Sequence, residues 1–540
     1  MNPWITRADV WCAAGRGLER LADAARAGVP LRRDVPYAMS GLRSPFAGML
    51  TARASAEDML DEVVRAVLPA EGSCGLVVAT SSGAISGEFE AWHCENGGGA
   101  SLPFSPHTVE TAVDRMFAAV DSEWRAADFA WRQGPARTVA ARHALTPVTT
   151  VSVACASGTA AFAIARGWLR DGVCERVVVA GVDALSLYIH AGFAGLGALA
   201  KERSRVFSPE RDGLMLGEGA AAFLLERPGS SRPPLTTLRG IGLSQDGVHL
   251  TAPDRSGNGL YRAALTDAGV DPEEIGTVSA HGTGTPFNDA MEARALARLF
   301  GRPVPLHAAK PIVGHTLGAA GAIEAALVLA ILGGAEPPPP LSPGDCEVEF
   351  SSCHQPKFGL SVSAAFGGVN AALLFGPDQP SAFAPIPVVE RSRSEVAADS
   401  FDLPSIGAPP NLGRADTYVR AGIAALHPLS LPADAAVVVT SESNCRQADL
   451  RYHADLLARG PGAVSRMHFT YTVPGSPLAE AAILKGLRGP ALVFCDAAAR
   501  GEAEAQRLVT QGLAPTAVAL HIEAPERSAR ASAVLYARAR

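Results

Sequence analysis

The sequence predicts a layered α/β protein made of one complete unit and half of a second. Three observations carry this. Short β-branched runs alternate with helical patterns along most of the chain, the texture of sheets covered by helices. The 540 residues exceed one ordinary domain, and 48% are hydrophobic against 19% charged, so a large core can be buried and disorder over most of the chain is excluded. The order of elements in the first part also returns, shortened, at the end of the chain.

Taken in order, 56–68 (AEDMLDEVVRAVL) has helical spacing and leads to a buried strand at 74–80 (CGLVVAT). A helix is expected over 109–127. A strand at 148–154 (VTTVSVA) runs straight into a helix at 156–170, and further strands follow at 176–181, 220–226 and 277–280. The longest apolar stretch, 317–334, contains Glu324 and several glycines and is short for a span, so it reads as a buried helix rather than a membrane helix. Residues 361–375 read as strand–turn–strand around Gly367 and Gly368, where glycine permits an unusual backbone and N–H groups can turn into a site. Residues 377–411, rich in Pro and Ser without a sustained period, read as a linker wrapped along the surface or mobile.

Beyond the linker, ADAAVVVTSES (433–443) echoes SCGLVVATSSG (73–83), each preceded by a helical stretch, and GLAPTAVALHIEA (512–524) echoes GVCERVVVAGVDA (172–184). Nothing after 524 corresponds to 277–376, so the domains are expected at 1–376 and 412–540, the second incomplete.

Charge and cysteine usage narrow the function. The formal charge is −7 and no basic block occurs, so nucleic acid is not an expected partner. Nine scattered cysteines without a C-x-x-C pair argue against a zinc site and a disulfide framework. The N-terminus lacks a basic region followed by an apolar run. A soluble, cytoplasmic protein with no membrane association, no metal and no bound cofactor is expected.

The chemistry concentrates in three places. In VSVACASGTAAFAIARGWLRDG (151–172), Cys155 sits where a strand turns into a helix, with small neighbours that admit a carbonyl. The helix N-terminus there is expected to favour a thiolate, lowering the pKa from about 8.5 to roughly 3.5–7.5. In SAHGTGTPFNDAMEA (279–293), His281 ends a strand before a Gly/Thr turn. In HAAKPIVGHTLGAAGAIEAA (307–326), Lys310 and His315 precede a Gly/Ala-rich helix. Strand ends of this kind are where sites collect in layered α/β proteins. Asp212 and Glu218 read as structural loop ligands, and no phosphate loop or H-E-x-x-H motif occurs.

The segments VACASG, RVFSPERDGLMLGEGAAAFLLE, HGTGTP, KPIVGHTLGAAG and AAFGGVNAALLF, in this order and spacing, resemble β-ketoacyl-[acyl carrier protein] synthases, specifically the elongating, two-histidine branch, over roughly 5–376. A priming synthase would be expected to carry His and Asn, and a thiolase a second cysteine in the closing glycine motif, where Cys346 and Cys353 do not lie.

The resemblance implies a thiolase-like layered αβαβα fold with a second, partial thiolase-like domain. It implies decarboxylating Claisen condensation of an acyl chain with malonyl-[acyl carrier protein], in fatty-acid, polyketide or aryl-polyene-type biosynthesis. Both substrates would ride on the phosphopantetheine of an acyl carrier protein. Cys155 would be acylated, and neutral His281 and His315 would stabilise the enolate. Lys310 would pair with Glu292 and orient His315. Phe366 would gate the acyl and malonyl pockets, and its N–H with that of Cys155 would form the oxyanion hole. Thr283 and Thr285 would bind the pantetheine amides, beside Gly367 and Gly368.

The last segment, 412–540, resembles, more weakly, the amino-terminal half of the same family, and such incomplete partners resemble chain-length-factor subunits. Cys155 aligns with either Cys495 or Ala498, and both alignments leave the segment non-catalytic. A homodimer or an intramolecular pseudo-dimer is expected. The competing functions are a non-catalytic scaffold of the same fold and a CoA-dependent thiolase-type acyltransferase.

Overall fold

A computed structural model describes residues 1–36, 44–83, 85, 132–230, 232–254, 261–303, 305–338, 351, 356–379, 384–398, 412, 415–524 and 529–539. The helix expected at 109–127, and Cys346 and Cys353, lie outside these residues.

In the first part, the strands are β1 (Trp4–Cys12), β2 (Gly75–Ala79), β3 (Val148–Val151), β4 (Arg176–Asp183), β5 (Gly219–Glu226), β6 (Thr236–Gln245), β7 (Ile275–Ser279), β8 (Phe358–Ala364) and β9 (Val369–Gly376). β2 pairs in parallel with β3 and β4, and β5 runs antiparallel between β4 and β1. A second group, β7, β8, β9 and β6, joins the first through a short contact of β1 with β6 at Trp4 and Ile5.

Helices occupy three levels. α1 (Ala56–Val67) is held at its start by the Ser55–Asp58 capping box and lays Met59, Leu60, Val63, Val64 and Val67 on the outer face of the β1–β5–β4 strands. α2 (Gly134–Arg142) packs beside it. α3 (Ser157–Arg170) and α5 (Ala320–Leu332) lie between the two groups of strands and are buried along almost their whole length. α5 touches β4 and β5 on one side and β7 and β8 on the other. That sandwich is why 317–334 is apolar all round: a helix with sheet on both sides has no wet face. α4 (Pro286–Phe300) follows the turn after β7.

The final segment repeats the first half. Its strands are β10 (Val388–Ala398), β11 (Ala436–Thr440), β12 (Ala491–Phe494), β13 (Thr516–Glu523) and β14 (Ala529–Arg538). Their order, β12-β11-β13-β14-β10, mirrors β3-β2-β4-β5-β1. The two sets meet where β3 and β12 pair antiparallel, giving one continuous sheet. Ser152 N–H donates to Val493 O at 2.9 Å, and Cys495 N–H donates to Thr150 O at 3.0 Å. These two bonds are mates across a pseudo-twofold axis.

The expected linker therefore contains a strand, Val388–Ala398. β10 pairs antiparallel with β14 along its whole length. It shows no apolar period because it is an edge strand with most side chains in water, and its Glu390, Arg391, Arg393 and Glu395 guard that edge against pairing with other chains.

The half-unit also covers its own sheet. α6 (Thr417–Leu426) packs against β10, β13 and β14. α9 (Ala498–Thr510), the counterpart of α3, buries Gly501, Glu504, Ala505, Leu508 and Val509 and leaves its other face in water. Across the axis, α3 and α9 join through Trp168 Nε1–H to Glu504 at 3.2 Å, Arg507 to Asp171 at 2.6 Å, and the Arg500 guanidinium 4.9 Å from the Trp168 ring.

Candidate active site

Cys155 lies just past β3, in a tight 3₁₀ turn (Ala154–Ala156) that opens α3. Ala154 has φ +50°, the backbone strain that turns the chain sharply from strand to helix. Ser157 Oγ locks the turn, accepting from Val153 N–H at 2.9 Å and donating to Ala154 O at 2.6 Å. The head of α5 meets the head of α3 at Gly158, where a Cβ would lie 2.6 Å from Ala322 N and 2.9 Å from Gly318 O. That close approach brings His315, just before α5, to Cys155: His315 Nε2 is 3.0 Å from the sulfur.

His281 follows β7, and its ring stands nearly perpendicular to that of His315 with centroids 5.6 Å apart. Lys310, 2% exposed, holds His281 at two points, donating to its backbone carbonyl at 2.5 Å and to its Nδ1 at 3.2 Å.

The expected pairing of Lys310 with Glu292 is not what forms. Lys310 Nζ bonds Glu324 from the middle of α5. Glu292 instead accepts from His281 N–H (2.7 Å), Gly282 N–H (2.8 Å) and the Tyr261 hydroxyl (2.8 Å), fixing the backbone on which His281 sits. Among the described residues the hydrogen bonds of Lys310 reach His281, so it is His281, and not the expected His315, that it orients. The sequence does signal Glu324: it is the lone charge in an otherwise apolar helix, and a charge buried there requires a partner.

Burial sets the protonation states. His281 and His315 are held well below the ordinary imidazole value, first by desolvation and then by the nearby Lys310 charge, so both rings are neutral. Burial pushes the Glu292 and Glu324 carboxyls up to about 7. It also pushes the Cys155 thiol up to about 12, against the lowering effects of Lys310 and of the Phe366 N–H that faces the sulfur. The expected resting thiolate is thus corrected: burial pushes Cys155 up, and it rests as a thiol with a neutral imidazole beside it.

Phe366 stands at the junction of two cavities, its ring stacked on Phe193 (centroids 5.7 Å, planes 19° apart). One cavity, of about 420 Å³, is open to Cys155, His281, His315, Thr283 and Thr285. The two threonine hydroxyls are 2.9 Å apart, and Thr283 is anchored by Asp289. Gly367 (φ +84°) and Gly368 (φ +76°) make the turn that presents Phe366. Asp212 lines this cavity, while Glu218 ties two loops by accepting from Leu50 and Leu185 N–H groups. Asp183, not singled out in the sequence, gathers Ser81, Ser82 and Gly318 N–H groups and two hydroxyls beneath the site.

The other cavity, of about 50 Å³, runs from Cys155 and Phe366 toward the pseudo-twofold axis, and Phe469, Thr472 and Pro474 of the half-unit help close it. Across that axis Ser152 and Cys495 are equivalent, so three residues on Cys155 meets Ala498. The half-unit carries no nucleophile at the matching position.

A β-ketoacyl synthase N-terminal domain matches residues 131–229, and a β-ketoacyl synthase C-terminal domain matches 235–342. Both domain matches are to the β-ketoacyl synthase family, and together they cover less than half of the chain. Nodulation protein E of Rhizobium sp. (strain N33) is 35% identical over 246 residues, which is 42% of this chain and 61% of that protein. The chloroplastic 3-oxoacyl-[acyl-carrier-protein] synthase I of Hordeum vulgare is 31% identical over 258 residues, 43% of this chain and 56% of that one. The ketosynthase match thus spans about three fifths of the length of these relatives. Among solved structures, the ishigamide ketosynthase/chain length factor matches with a TM-score of 0.59 and 26% identity over 70% of this chain and 99% of that one. The PfaC keto synthase-chain length factor matches with a TM-score of 0.77 over 99% of this chain and 78% of that one; at 14% identity this likeness concerns the fold, which is the thiolase-like αβαβα arrangement of ketosynthases. Among the described residues no helix is long and apolar enough to cross a membrane, and no cluster of three or more His, Cys, Asp or Glu is placed to hold a metal.

Proposed function

We propose that this chain is a β-ketoacyl-[acyl carrier protein] synthase that condenses an acyl group with malonyl carried on an acyl carrier protein, in fatty-acid, polyketide or aryl-polyene-type biosynthesis. The observation that carries the reading is the placement of neutral His315 Nε2 3.0 Å from the Cys155 sulfur, with His281 beside it.

Cys155 attacks the acyl thioester and passes its proton to His315 Nε2, which returns it to the departing pantetheine thiol. An ammonium group only donates, so the Lys310 contact makes His281 Nδ1 an acceptor and leaves the proton on Nε2. His281 is then a fixed donor toward the malonyl thioester oxygen. Among the described residues His315 Nδ1 has no hydrogen-bond partner to pin its tautomer, which suits a ring that accepts a proton in one step and donates in the next. Loss of CO₂ leaves an enolate held by the two rings. Its carbon attacks the acyl-Cys155 carbonyl, and the Cys155 and Phe366 N–H groups receive the oxyanion. Collapse releases the β-ketoacyl product, and the sulfur regains a proton from solvent. Thr283 and Thr285 bind the pantetheine arm in the larger cavity, whose lining supports the same reading.

In this reading the complete unit extends to about residue 376 and the half-unit is a built-in, non-catalytic partner that occupies the β3 edge, forming an intramolecular pseudo-dimer. A cytoplasmic setting fits the unpaired state of the six described cysteines. The test supplies malonyl- and acyl-carrier protein and follows β-ketoacyl product and acyl-enzyme by mass spectrometry. Product formation with the acyl group on Cys155, lost in Cys155→Ala, is expected; acylation elsewhere, or none, overturns the reading.

A further inference from the structure

A third cavity, of about 390 Å³, has its described lining in the half-unit and shares no lining residue with the two that meet at Phe366. That is the size of a small-molecule site, roughly 300–1,000 Å³. Its walls are the start of α6, the helix α7 (Arg446–Arg459) and the short helix Arg466–Thr470. Thr417 Oγ1 donates to Gln447 Oε1 at 3.0 Å and ties α6 to α7.

Asp416 caps α6 with one oxygen, accepting from Val419 N–H at 3.0 Å. It is only 8% exposed and lines the cavity, and among the described residues its Oδ2 has no hydrogen-bond partner. The other acids of these walls are engaged. Asp449 holds Arg132 of the complete unit in a two-pronged ion pair with bonds of 2.8 and 3.1 Å. Asp455 takes Arg459 at 2.6 Å and Ser465 N–H at 2.5 Å, with His468 at 3.6 Å. Burial pushes the Asp416 carboxyl up to about 6, and Arg451, exposed on the same cavity, opposes that rise through space, with Arg420 adding to it. Among the described residues no ion pair joins Arg451 to Asp416, so two opposite charges share the cavity without closing on each other. The rest of the wall has apolar surface. Met467 is 39% exposed at the mouth, and the Tyr471 hydroxyl is committed to Glu480 of α8 (Ser476–Lys485) at 3.0 Å, which leaves its ring for the cavity.

We propose that this cavity is a binding site for a small zwitterion of the α-amino-acid class, its ammonium on Asp416, its carboxylate on Arg451 and an apolar side chain against Met467 and Tyr471. A buried carboxylate oxygen needs a donor, and a charged donor serves it best. A ligand carrying only a positive charge would meet the Arg451 guanidinium in the same space. A ligand with both charges a few ångströms apart answers both walls at once, and its side chain gains by leaving water.

The experiment is calorimetric titration of the full-length protein with L-leucine, L-methionine and L-phenylalanine, beside two one-charge relatives of leucine, 3-methylbutylamine and 4-methylpentanoate. At least one of the amino acids is expected to bind, and the one-charge probes to bind roughly tenfold more weakly or worse. Asp416→Asn keeps a good helix cap and removes the charge; Arg451→Gln removes the other charge from an exposed position. Each is expected to lower amino-acid affinity by roughly tenfold or more with the melting temperature of the unliganded protein little changed. Absence of binding by all three amino acids overturns the proposal. So does an amine that binds as tightly as leucine, which would mark a site for organic cations, or binding that survives both substitutions. Should Asp416→Asn fail to fold, Arg451→Gln decides alone, and unchanged affinity in it overturns the assignment. None of these outcomes bears on acylation of Cys155, so the ketosynthase reading stands or falls separately.

Discussion

Lys310 Nζ lies 3.2 Å from His281 Nδ1, while its charge is balanced by Glu324 from the central helix. The lysine therefore acts on one histidine in two ways: it assigns the tautomer, and it opposes protonation of the ring.

The first prediction tests that double role. Replacing Lys310 with Met removes a positive charge from beside His281, so the histidine pKa rises toward its usual value of about 6.5. In the proposed reaction neutral His281 is the form that decarboxylates malonyl, so the acid limb of the pH–rate profile should move to higher pH. The maximal rate should fall by roughly 10²-fold, the usual loss for one misplaced oxyanion donor. An acid limb that stays in place would show that Lys310 only packs.

Cys155 is expected to be a reluctant nucleophile toward small reagents. With its thiol pushed up by burial, alkylation by iodoacetamide should keep rising with pH beyond about 8.5, the value of a free cysteine. His315→Ala should slow acyl transfer from the carrier protein by roughly 10²–10⁴-fold, because the thiol proton then has no acceptor at 3.0 Å. A reactivity plateau near pH 6 would mean that the thiolate already exists at rest.

Gly158→Ala should damage the site without touching a reacting group. The new Cβ would meet backbone atoms of the α5 head at under 3 Å, so the two helix heads must separate and Cys155 must leave His315. Overpacking of this kind costs about 1–3 kcal/mol in stability. Thermal melting and acylation rate should both decline; an unchanged melting temperature with full activity would contradict the packing argument.

Truncation after Gly376 should expose the β3 edge, along with Trp168 and the surface now covered by α9. An unpaired strand edge beside an apolar face pairs with another chain or aggregates. Light scattering should therefore report self-association of the truncated protein. A monodisperse monomer with unchanged activity and product length would show that the half-unit is dispensable.

Much of this was legible in the residues. The strand-to-helix step at 148–170 needs only a β-branched run followed by small residues, and the strands within 74–80, 176–181, 433–443 and 512–524 were visible as short apolar runs in a repeated order, whereas Trp4–Cys12, Thr236–Gln245 and Ala529–Arg538 were not singled out. Cys155, His281, Lys310 and His315 were visible as reactive residues beside glycine-rich turns. The strand at 388–398 was hidden because an edge strand, wet on most of its surface, has no apolar period to read. The alignment of Cys155 with Cys495 or Ala498 stayed open because the two copies differ in length between strands; the bonds Ser152–Val493 and Cys495–Thr150 align the strands directly.

The sequence by itself determined the strands at 74–80, 148–154, 176–181 and 220–226, that their order of elements returns later in the chain, and which residue types gather for thiol and imidazole chemistry. Those properties depend on side-chain period and turn chemistry within a few residues of chain. Only the tertiary structure decided that Lys310 pairs with Glu324 and not Glu292, that Cys155 rests as a thiol, and that Asp449 of the half-unit closes against Arg132. Each of these depends on charges and surfaces far apart in sequence being brought into a dry interior, where desolvation, and not local order, selects the partner and the proton.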